Sequence, residues 1–368
     1  MSDSPVCDIW CVGIWCVTGL HQTRGMDLTT ARETKAQLTD FARDLAERHG
    51  VPASPYAVGD DATPADVVRA PTLSLGLAPQ GEGAFAIAVR YRLGVPTARS
   101  FVRKLAAEAG DSVDVRRTGR IRTLGAQVRP PVVTARALGE TDRVRPLRPG
   151  VSIAHVDVTA GTLGAFVVKT DGGSDDGARY VLSNYHVLAG SPSAQVGDVV
   201  VQPGPADGGR APQDRVGTLA QVVPLTPGQP ATVDAALALL DDAIETDPTY
   251  PVGAVTTTAV AAGGEAVAKI GRTTALTQGR VTAIEMDDVV VGYGEELGAL
   301  SFDDQIEVEG TGGAFSRGGD SGSLVYREDG VALGLLFAGS ETGGADGTGL
   351  TYCNPVDAVL QALGVTLA

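Results

Sequence analysis

From about residue 150 onward, the chain consists of short apolar runs that turn-forming residues interrupt. The runs are rich in Val, Leu and Ala, and Gly, Pro and Asp separate them. Examples are GTLGAFVVKT, YVLSNYHVL, GDVVVQPG, DAALALL, GRVTAIE, DDQIEVEG and ALGLLFAGS. Many short strands separated by such turns are typical of β-barrels and β-sandwiches. We therefore predict a mainly β architecture for this part, closed by one helix in NPVDAVLQALG with Asn354 as its N-cap and Pro355 in its first turn.

The first part of the chain has a different pattern. Apolar residues at helical spacing predict a helix over about residues 29–49, and alternating residues predict a strand over residues 84–94. A second helix over residues 96–110 and a strand over residues 111–119 follow. This order predicts a small α/β domain of the βαβ type ahead of the β-rich part.

The boundary between the two parts is predicted near Pro149. The segment 116–148 is rich in Arg and Pro, which favours an extended linker over a packed element. We predict a leader over residues 1–25, disordered or preceding a true start at Met26. An α/β regulatory or assembly domain with the Arg/Pro-rich linker follows over residues 26–148, and the β-rich domain covers residues 149–368.

The charge of the chain differs between its two parts. The net charge is −15, yet residues 1–150 carry 20 Lys and Arg against 16 Asp and Glu, while residues 151–368 carry 9 against 28. An acidic surface repels phosphates and attracts basic peptides, so nucleic acid is an unlikely partner for the second part. The basic segment 116–148 leaves binding of nucleic acid or an acidic partner open, although docking onto the acidic domain explains its charge more simply.

The cysteines favour a reducing compartment, because Cys7, Cys11 and Cys16 crowd the start of the chain and Cys353 stands alone. The spacing of the first three and His21 matches no common zinc pattern. The apolar run over residues 9–20 is too short to cross a bilayer and lacks a basic flank. We expect a cytoplasmic protein without a membrane partner, a metal or another cofactor.

The segment SRGGDSGSLVY carries the strongest chemical signal. Ser321 lies between glycines at positions 319 and 322, which permit a tight turn that exposes backbone N–H groups. The N–H groups of Gly319 and Ser321 are suited to hold the oxyanion that forms during acyl transfer. Ser321 is therefore a candidate nucleophile.

A serine nucleophile needs a base and an acid that orients this base. Among the four histidines, His186 lies at the end of an apolar run with polar neighbours, whereas His21, His49 and His155 lie in the leader, the first helix and a linker or first strand. Asp234 lies at the head of the apolar run DAALALL, and Asp241 or Asp242 are its alternatives. We predict the triad His186, Asp234 and Ser321.

These motifs, in the order His, Asp, Ser, resemble the chymotrypsin- and trypsin-like serine peptidases. RPLRPGVSI, YVLSNYHVLAG, DAALA, IGRTTALTQGRV and GDSGSLVY together resemble the bacterial relatives of the plant NARROW LEAF protein over about residues 145–360. The resemblance implies a double six-stranded antiparallel β-barrel with the triad between the barrels. The fold class is thus mainly β, with a small α/β N-terminal domain in front.

Two features depart from the family pattern. Ser323 and Leu324 replace the usual residues after the GDSG motif. In secreted relatives a newly cleaved N-terminus pairs with the aspartate before the catalytic serine, here Asp320, whereas this chain has about 150 residues in front. Asp320 must therefore have another partner, or the oxyanion turn stays inactive until a ligand or an assembly reorders it.

The resemblance also locates a specificity pocket. Its acid-bearing position corresponds to Phe315, so cleavage after Arg or Lys is not supported. A pocket floored by Phe315 and walled by Phe337, Ala338 and Gly339 would favour apolar or small side chains.

We predict a serine endopeptidase that is latent until a protein partner or a homo-oligomer activates it, with a protein or peptide as its substrate. The alternatives are a catalytically silent peptide-binding scaffold, and a binding function of the basic N-terminal domain.

Overall fold

The computed structural model describes residues 25–48, 72–92, 112–123, 137–170, 178–294, 296–340 and 342–368, together with residues 103, 104 and 107. The predicted first helix is present as α1 (Leu28–Arg48). The Asp27 carboxylate accepts hydrogen bonds from the N–H groups of Thr29 (3.0 Å) and Thr30 (3.1 Å) at its start. The helix buries Ala31 and Leu38 against the sheet described next.

That sheet contains strands β1 (Leu73–Gly81), β2 (Ala84–Arg92) and β3 (Val113–Thr118). The parallel pairing of β2 with β3 agrees with the predicted βαβ connection. Most of the helix predicted over residues 96–110 lies outside the described residues. The antiparallel hairpin of β1 with β2 is an addition that the sequence pattern did not predict.

The next elements include most of the first β-rich sheet. They are β4 (Ile121–Thr123), β5 (Ser152–His155), β6 (Gly161–Thr162), β7 (Ala165–Lys169), β8 (Tyr180–Ser183), α2 (Tyr185–Leu188), β9 (Val199–Val201), β10 (Arg215–Val222) and β11 (Ala236–Leu240). Strands β7, β8, β11, β10, β9 and β5 pair in this order, each antiparallel to the next. This sheet forms a half-barrel, because its end strands do not pair with each other in the described part of the chain.

The remaining elements form a second barrel and the C-terminus. They are β12 (Thr257–Thr258), β13 (Ala266–Gly271), β14 (Ala275–Asp287), β15 (Val289–Gly292), β16 (Ala299–Phe302), β17 (Gln305–Gly310), β18 (Leu324–Tyr326), β19 (Val331–Ser340), β20 (Thr351–Pro355), α3 (Val356–Leu363) and β21 (Val365–Leu367). Strands β13, β14, β17, β20, β19 and β18 pair antiparallel, and β18 pairs with β13 again. A closed six-stranded barrel results, and the predicted chymotrypsin-like fold is confirmed.

The predicted C-terminal helix is present as α3, but Asn354 is not its cap. Asn354 lies in β20, and its side-chain oxygen accepts a hydrogen bond from the Asp234 N–H at 2.9 Å. Pro355 occupies the N-cap position, and no side chain caps the helix. The prediction of an Asn354 cap was wrong because this side chain binds the backbone of Asp234 instead of the start of the helix.

The N-terminal unit docks onto the second barrel through its sheet and through ion pairs. Strand β1 pairs antiparallel with the end of β14, so one sheet runs through both parts. Arg90 is fully buried and donates to both carboxylate oxygens of Glu307, at 2.7 and 2.8 Å. The Arg116 guanidinium lies 2.8 Å from Glu309, which also belongs to β17. The basic part of the chain therefore neutralises acidic groups of the barrel, as expected for docking within one chain.

The segment 116–148 was predicted to be an unpacked linker, and this prediction was wrong for parts of it. Arg116 and its neighbours belong to β3, and residues 121–123 form β4 within the sheet of the second barrel. Leu147 is fully buried in the main apolar cluster. Two effects explain the packing. Apolar side chains are more stable when they are buried than in an exposed linker, and backbone N–H and C=O groups find hydrogen-bond partners in a sheet.

The described residues contain neither a membrane-spanning helix nor a metal-binding cluster. No helix there has the length and apolar character needed to cross a membrane. No group of three or more His, Cys, Asp or Glu side chains in those residues is arranged to hold a metal ion. Cys7, Cys11, Cys16 and His21 lie outside the described residues.

Candidate active site

His186 and Asp234 are in direct contact at the edge of the first sheet. His186 lies in α2, the short turn of helix after β8, and Asp234 lies two residues before β11. The imidazole Nδ1 is 2.5 Å from Asp234 Oδ2, and the His186 backbone N–H donates to Oδ1 at 3.3 Å. A carboxylate at Nδ1 favours the tautomer with the proton on this nitrogen, so that Nε2 is free to accept a proton. The predicted base and acid are therefore brought together with the geometry that base catalysis needs.

Backbone contacts fix Asp234, which is fully buried. The Asn184 side-chain amide donates to the Asp234 carbonyl oxygen at 2.7 Å. The Asp234 N–H donates to Asn354, and the Asn354 amide in turn donates to Gln305 at 2.7 Å. Both barrels thus contribute to holding this carboxylate, which makes its position a property of the whole fold.

Tyr293 is a third partner of the Asp234 carboxylate that the sequence pattern did not predict. Its hydroxyl donates a hydrogen bond of 2.6 Å to Oδ2. The Tyr293 ring stacks on Phe302, with ring centroids 5.8 Å apart, and meets the His186 ring edge-on at 6.0 Å. Burial, followed by the neighbouring Asp234 carboxylate, raises the pKa of Tyr293 well above its ordinary value, so the phenol keeps its proton near neutral pH.

Ser321 lies in a tight turn just before β18 in the second barrel. Gly319 and Gly322 on either side have φ angles of +98° and +92°, which favour glycine. A Cβ on Gly322 would lie 2.1 Å from the Ser183 hydroxyl, so this turn packs directly against the end of β8. The Thr162 N–H donates to the Ser321 carbonyl oxygen at 2.8 Å, and the Thr162 hydroxyl donates to that of Gly319 at 2.8 Å. The first sheet therefore holds the Ser321 turn in place through these contacts.

The Ser321 hydroxyl is not hydrogen-bonded to His186. Its Oγ lies 3.4 Å from the carbonyl oxygen of Phe337, and the residue is fully buried. His186 Nε2 is also buried and has no hydrogen-bond partner among the described residues. The structure thus joins two of the three predicted triad residues and leaves the serine hydroxyl turned toward β19.

The predicted oxyanion donors remain available. Within the residues that the structure describes, neither the Gly319 nor the Ser321 N–H donates a hydrogen bond. Free N–H groups next to a nucleophile stabilise a negative oxygen without further rearrangement.

Asp320 has the alternative partner that the sequence required. Its carboxylate accepts hydrogen bonds from the N–H groups of Thr273 (2.9 Å), Thr274 (3.1 Å) and Arg317 (2.9 Å), and the Lys269 ammonium lies 3.5 Å away. Both ionic side chains are fully buried. Burial lowers the pKa of Lys269, and the Asp320 charge partly opposes this shift. An internal lysine thus supplies the cation that pairs with Asp320.

Sequence reasoning missed Lys269, although the signal was present. A lysine inside the apolar run EAVAKIG is placed to be buried, and a buried lysine needs an acidic partner.

The predicted pocket residues are divided between different parts of the core. The Phe315 side chain packs in the apolar cluster that contains Val281 and Val308, whereas the Phe337 ring packs on Phe302 with ring centroids 4.7 Å apart. The two rings therefore do not form one pocket in this structure. The main chain of Phe337 does lie beside Ser321, and Ala338 and Gly339 follow it along β19.

The closed barrel, the half-barrel and the His–Asp pair facing a GDSG turn define a chymotrypsin-like serine protease fold. The sequence model of the Trypsin family matches residues 156–363, and the chain belongs to this family. No curated protein sequence matches the chain. The narrower resemblance to relatives of NARROW LEAF stays a prediction.

Solved structures with a similar fold include several serine proteases. Protease A of Thermobifida fusca is 21% identical and has a TM-score of 0.42, over 60% of this chain and 99% of that chain. A glutamic acid specific serine protease, described as using a histidine triad in substrate binding, is 27% identical with a TM-score of 0.41, over 60% of this chain and 100% of its own. The chymotrypsin of Cellulomonas bogoriensis is 20% identical with a TM-score of 0.41, over 60% and 99% of the two chains.

Proposed function

We propose that this protein is a serine endopeptidase with His186, Asp234 and Ser321 as its catalytic triad. The observation that carries the proposal is the 2.5 Å contact between His186 Nδ1 and Asp234, in the sheet that also holds the Ser321 turn through Thr162. Membership in the trypsin family supports a peptidase, and this contact supports these residues as its machinery.

The proposed reaction begins when the Ser321 side chain rotates toward His186. Oγ then bonds to the peptide carbonyl carbon while its proton passes to Nε2, and the carbonyl oxygen becomes an oxyanion held by the N–H groups of Gly319 and Ser321. The C–N bond breaks as the imidazolium returns the proton to the leaving amine. Water repeats the sequence on the acyl-enzyme: His186 takes its proton, and the product acid leaves as Ser321 regains a proton.

We infer that the form described here is latent. The Ser321 hydroxyl points to the Phe337 carbonyl oxygen, and His186 Nε2 has no partner in the described part of the chain. An activating protein partner, a homo-oligomer or a substrate would supply the free energy that reorients the hydroxyl. The role of residues 26–148 as a regulatory or assembly domain belongs to the same proposal.

The proposed substrates are proteins or peptides with apolar or small residues at the cleaved position. This preference follows from the family resemblance, in which Phe315 takes the position of the acid that binds Arg or Lys, and it does not rest on the Phe315 ring, which packs in a separate cluster of the core. The acidic second part of the chain would attract basic residues elsewhere in a substrate. The cysteine usage supports a cytoplasmic location, and Cys353 is free and buried.

Labelling with a fluorophosphonate tests the proposed function, because this reagent bonds to an activated serine whatever the substrate is. Wild type and Ser321→Ala are compared, with and without added cell extract, and the labelled peptide is identified by mass. We expect a label on Ser321 that extract increases and that the substitution removes. A label that persists in Ser321→Ala, or no label under either condition, contradicts the proposal.

A silent peptide-binding scaffold is the second candidate, and it is favoured because the Ser321 hydroxyl bonds to the Phe337 carbonyl oxygen and not to His186. Such a protein binds peptides with no label at Ser321. Nucleic-acid binding by the N-terminal unit receives less support, since Arg90 and Arg116 form ion pairs with acidic residues of the barrel.

A further inference from the structure

One edge of β19 leads directly past the candidate nucleophile. Strand β18 occupies the first part of this edge and ends with Leu324 opposite Leu335. The Gly322 N–H then donates to the Leu336 carbonyl oxygen at 2.8 Å, and Ser321 Oγ lies 3.4 Å from that of Phe337. Beyond Phe337, the edge is no longer covered by β18 or by the Ser321 turn.

Strand β4 of the N-terminal segment covers the next part of this edge. It pairs antiparallel with β19, with Thr123 opposite Ala338, Arg122 opposite Gly339 and Ile121 opposite Ser340. On its other side, β4 pairs in parallel with β15, where Arg122 lies opposite Gly292. The strand thus fills a slot between β15 and β19 that begins one residue beyond the Ser321 contact.

A peptide substrate needs the same edge. Its carbonyl carbon must approach Ser321, so the chain next to this carbon must run beside Phe337 and continue along β19. Extended peptides bind to such positions by pairing their main chain with an exposed strand edge. One edge pairs with one strand at a time, so β4 and a substrate exclude each other.

The side chains of β4 also alternate between buried and exposed, as those of a peptide bound at this edge would. Ile121 is only 8% exposed and packs in the cluster that contains Leu300, Ala338 and Leu350. Arg122, the next residue, is exposed. The slot therefore accepts one apolar side chain inward and the following side chain outward, as expected for a strand bound at a sheet edge.

Contacts of the preceding residues with the second barrel hold β4 in this place. The preceding strand β3 belongs to the docked N-terminal unit, and its Arg116 pairs with Glu309 at 2.8 Å. The Gly119 N–H donates to the Thr342 carbonyl oxygen at 3.4 Å between β3 and β4. The N-terminal unit thus delivers β4 to the edge of β19.

We propose that β4 is a built-in substrate mimic that occupies the peptide-binding edge beside Ser321 and blocks it. Peptides with an apolar residue at the position of Ile121 are the ligands that replace it. The proposal rests on the proposed function, because it names the regulation and a side-chain preference of that site.

The variant Ile121→Asp tests the proposal in the full-length chain. A carboxylate placed in an apolar cluster disfavours the docked strand and leaves the two barrels otherwise unchanged. Val260→Asp is the matched control, because Val260 is 82% exposed and receives the same charge on the same barrel. We expect fluorophosphonate to label Ser321 about tenfold faster or more in Ile121→Asp, and at the wild-type rate in the control.

A reversible lock tests the same contact without relying on a destabilised variant. Thr123→Cys and Ala338→Cys are combined, since these residues lie opposite each other. In the same protein, Cys7, Cys11 and Cys16 are replaced by Ser. We expect the oxidised protein, with its disulfide confirmed by mass, to label at Ser321 at most about one-tenth as fast as the same protein after reduction.

The results separate the two proposals. Equal labelling of Ser321 in Ile121→Asp and wild type, or in the oxidised and reduced lock, overturns the role of β4 while the peptidase proposal stands. If Ser321 is not labelled in any of these proteins, even with β4 released, the proposed function fails and the substrate mimic fails with it.

Discussion

Tyr293 and His186 share one oxygen of a buried carboxylate. The Tyr293 hydroxyl donates to Asp234 Oδ2 at 2.6 Å, and His186 Nδ1 lies 2.5 Å from the same atom. Tyr293 follows directly on Gly292, which pairs with β4. The residue that positions the candidate acid is therefore a neighbour of the slot in which the N-terminal segment lies.

Replacing Tyr293 by Phe should slow the chemical step. The variant keeps the ring that stacks on Phe302 and loses the hydrogen bond that orients Asp234. We expect kcat, and the rate of fluorophosphonate labelling, to fall by about tenfold, as for the loss of a hydrogen bond to a charged group, while KM changes little.

The control is Tyr326→Phe, because the buried Tyr326 hydroxyl has no hydrogen-bond partner among the described residues. This control should label at the wild-type rate. Equal rates in Tyr293→Phe and wild type would show that Tyr293 does not position the triad.

Lys269 should be essential for the turn that contains Ser321. The variant Lys269→Met leaves the Asp320 carboxylate buried without a cation, which typically costs about 3 to 5 kcal/mol. We expect a loss of this order in the free energy of unfolding in urea, together with loss of labelling at Ser321.

Two further variants test the cause. Thr274→Val removes the hydrogen bond of 2.7 Å to Asp320 and the one that Lys269 donates to the Thr274 hydroxyl, but keeps both charges, and should cost only about 2 kcal/mol. The double variant Lys269→Met/Asp320→Asn should recover part of the lost stability, because no buried charge remains unpaired. A double variant that is less stable than Lys269→Met would refute the charge pairing.

Asp288 should make the protein less stable as the pH rises from acid to neutral. It lies in the turn between β14 and β15, and burial, followed by Asp303 and Asp287, raises its pKa from 3.8 to about 6. Between these values the folded state binds more protons than the unfolded state, so stability falls with increasing pH. At about 1.4 kcal/mol per pKa unit, this group should lower the free energy of unfolding by about 3 kcal/mol between acid and neutral pH.

The variant Asp288→Asn checks this prediction, because Asn tolerates the φ of +56° at this position. The free energy of unfolding should rise at neutral pH and lose this part of its pH dependence. An unchanged pH profile in the variant would contradict the assignment to Asp288.

The sequence predicted those parts of the molecule that local pattern determines. Asp234 was recognisable as an acid heading an apolar run, His186 as a histidine with polar neighbours, and Ser321 by its flanking glycines. Short apolar runs predicted the strands of both barrels because each run fits one buried strand.

What the sequence did not predict depends on contacts between distant segments. Strand β1 was missed because Gly76 and Pro79 interrupt its alternation, and Gly76 is needed where a Cβ would meet Met286 Sδ at 2.3 Å. Strand β4 is too short to show a period and gains its conformation from β15 and β19. Tyr293 acts on Asp234 across 59 positions, and no local pattern reports such a contact.

The most direct test of the account is the rate at which fluorophosphonate labels Ser321 in Ile121→Asp, compared with the same variant carrying His186→Gln. The account predicts rapid labelling when His186 is present and a loss of about a thousandfold or more without it, because the serine then has no base. Equal rates in the two proteins would contradict the claim that His186 activates Ser321.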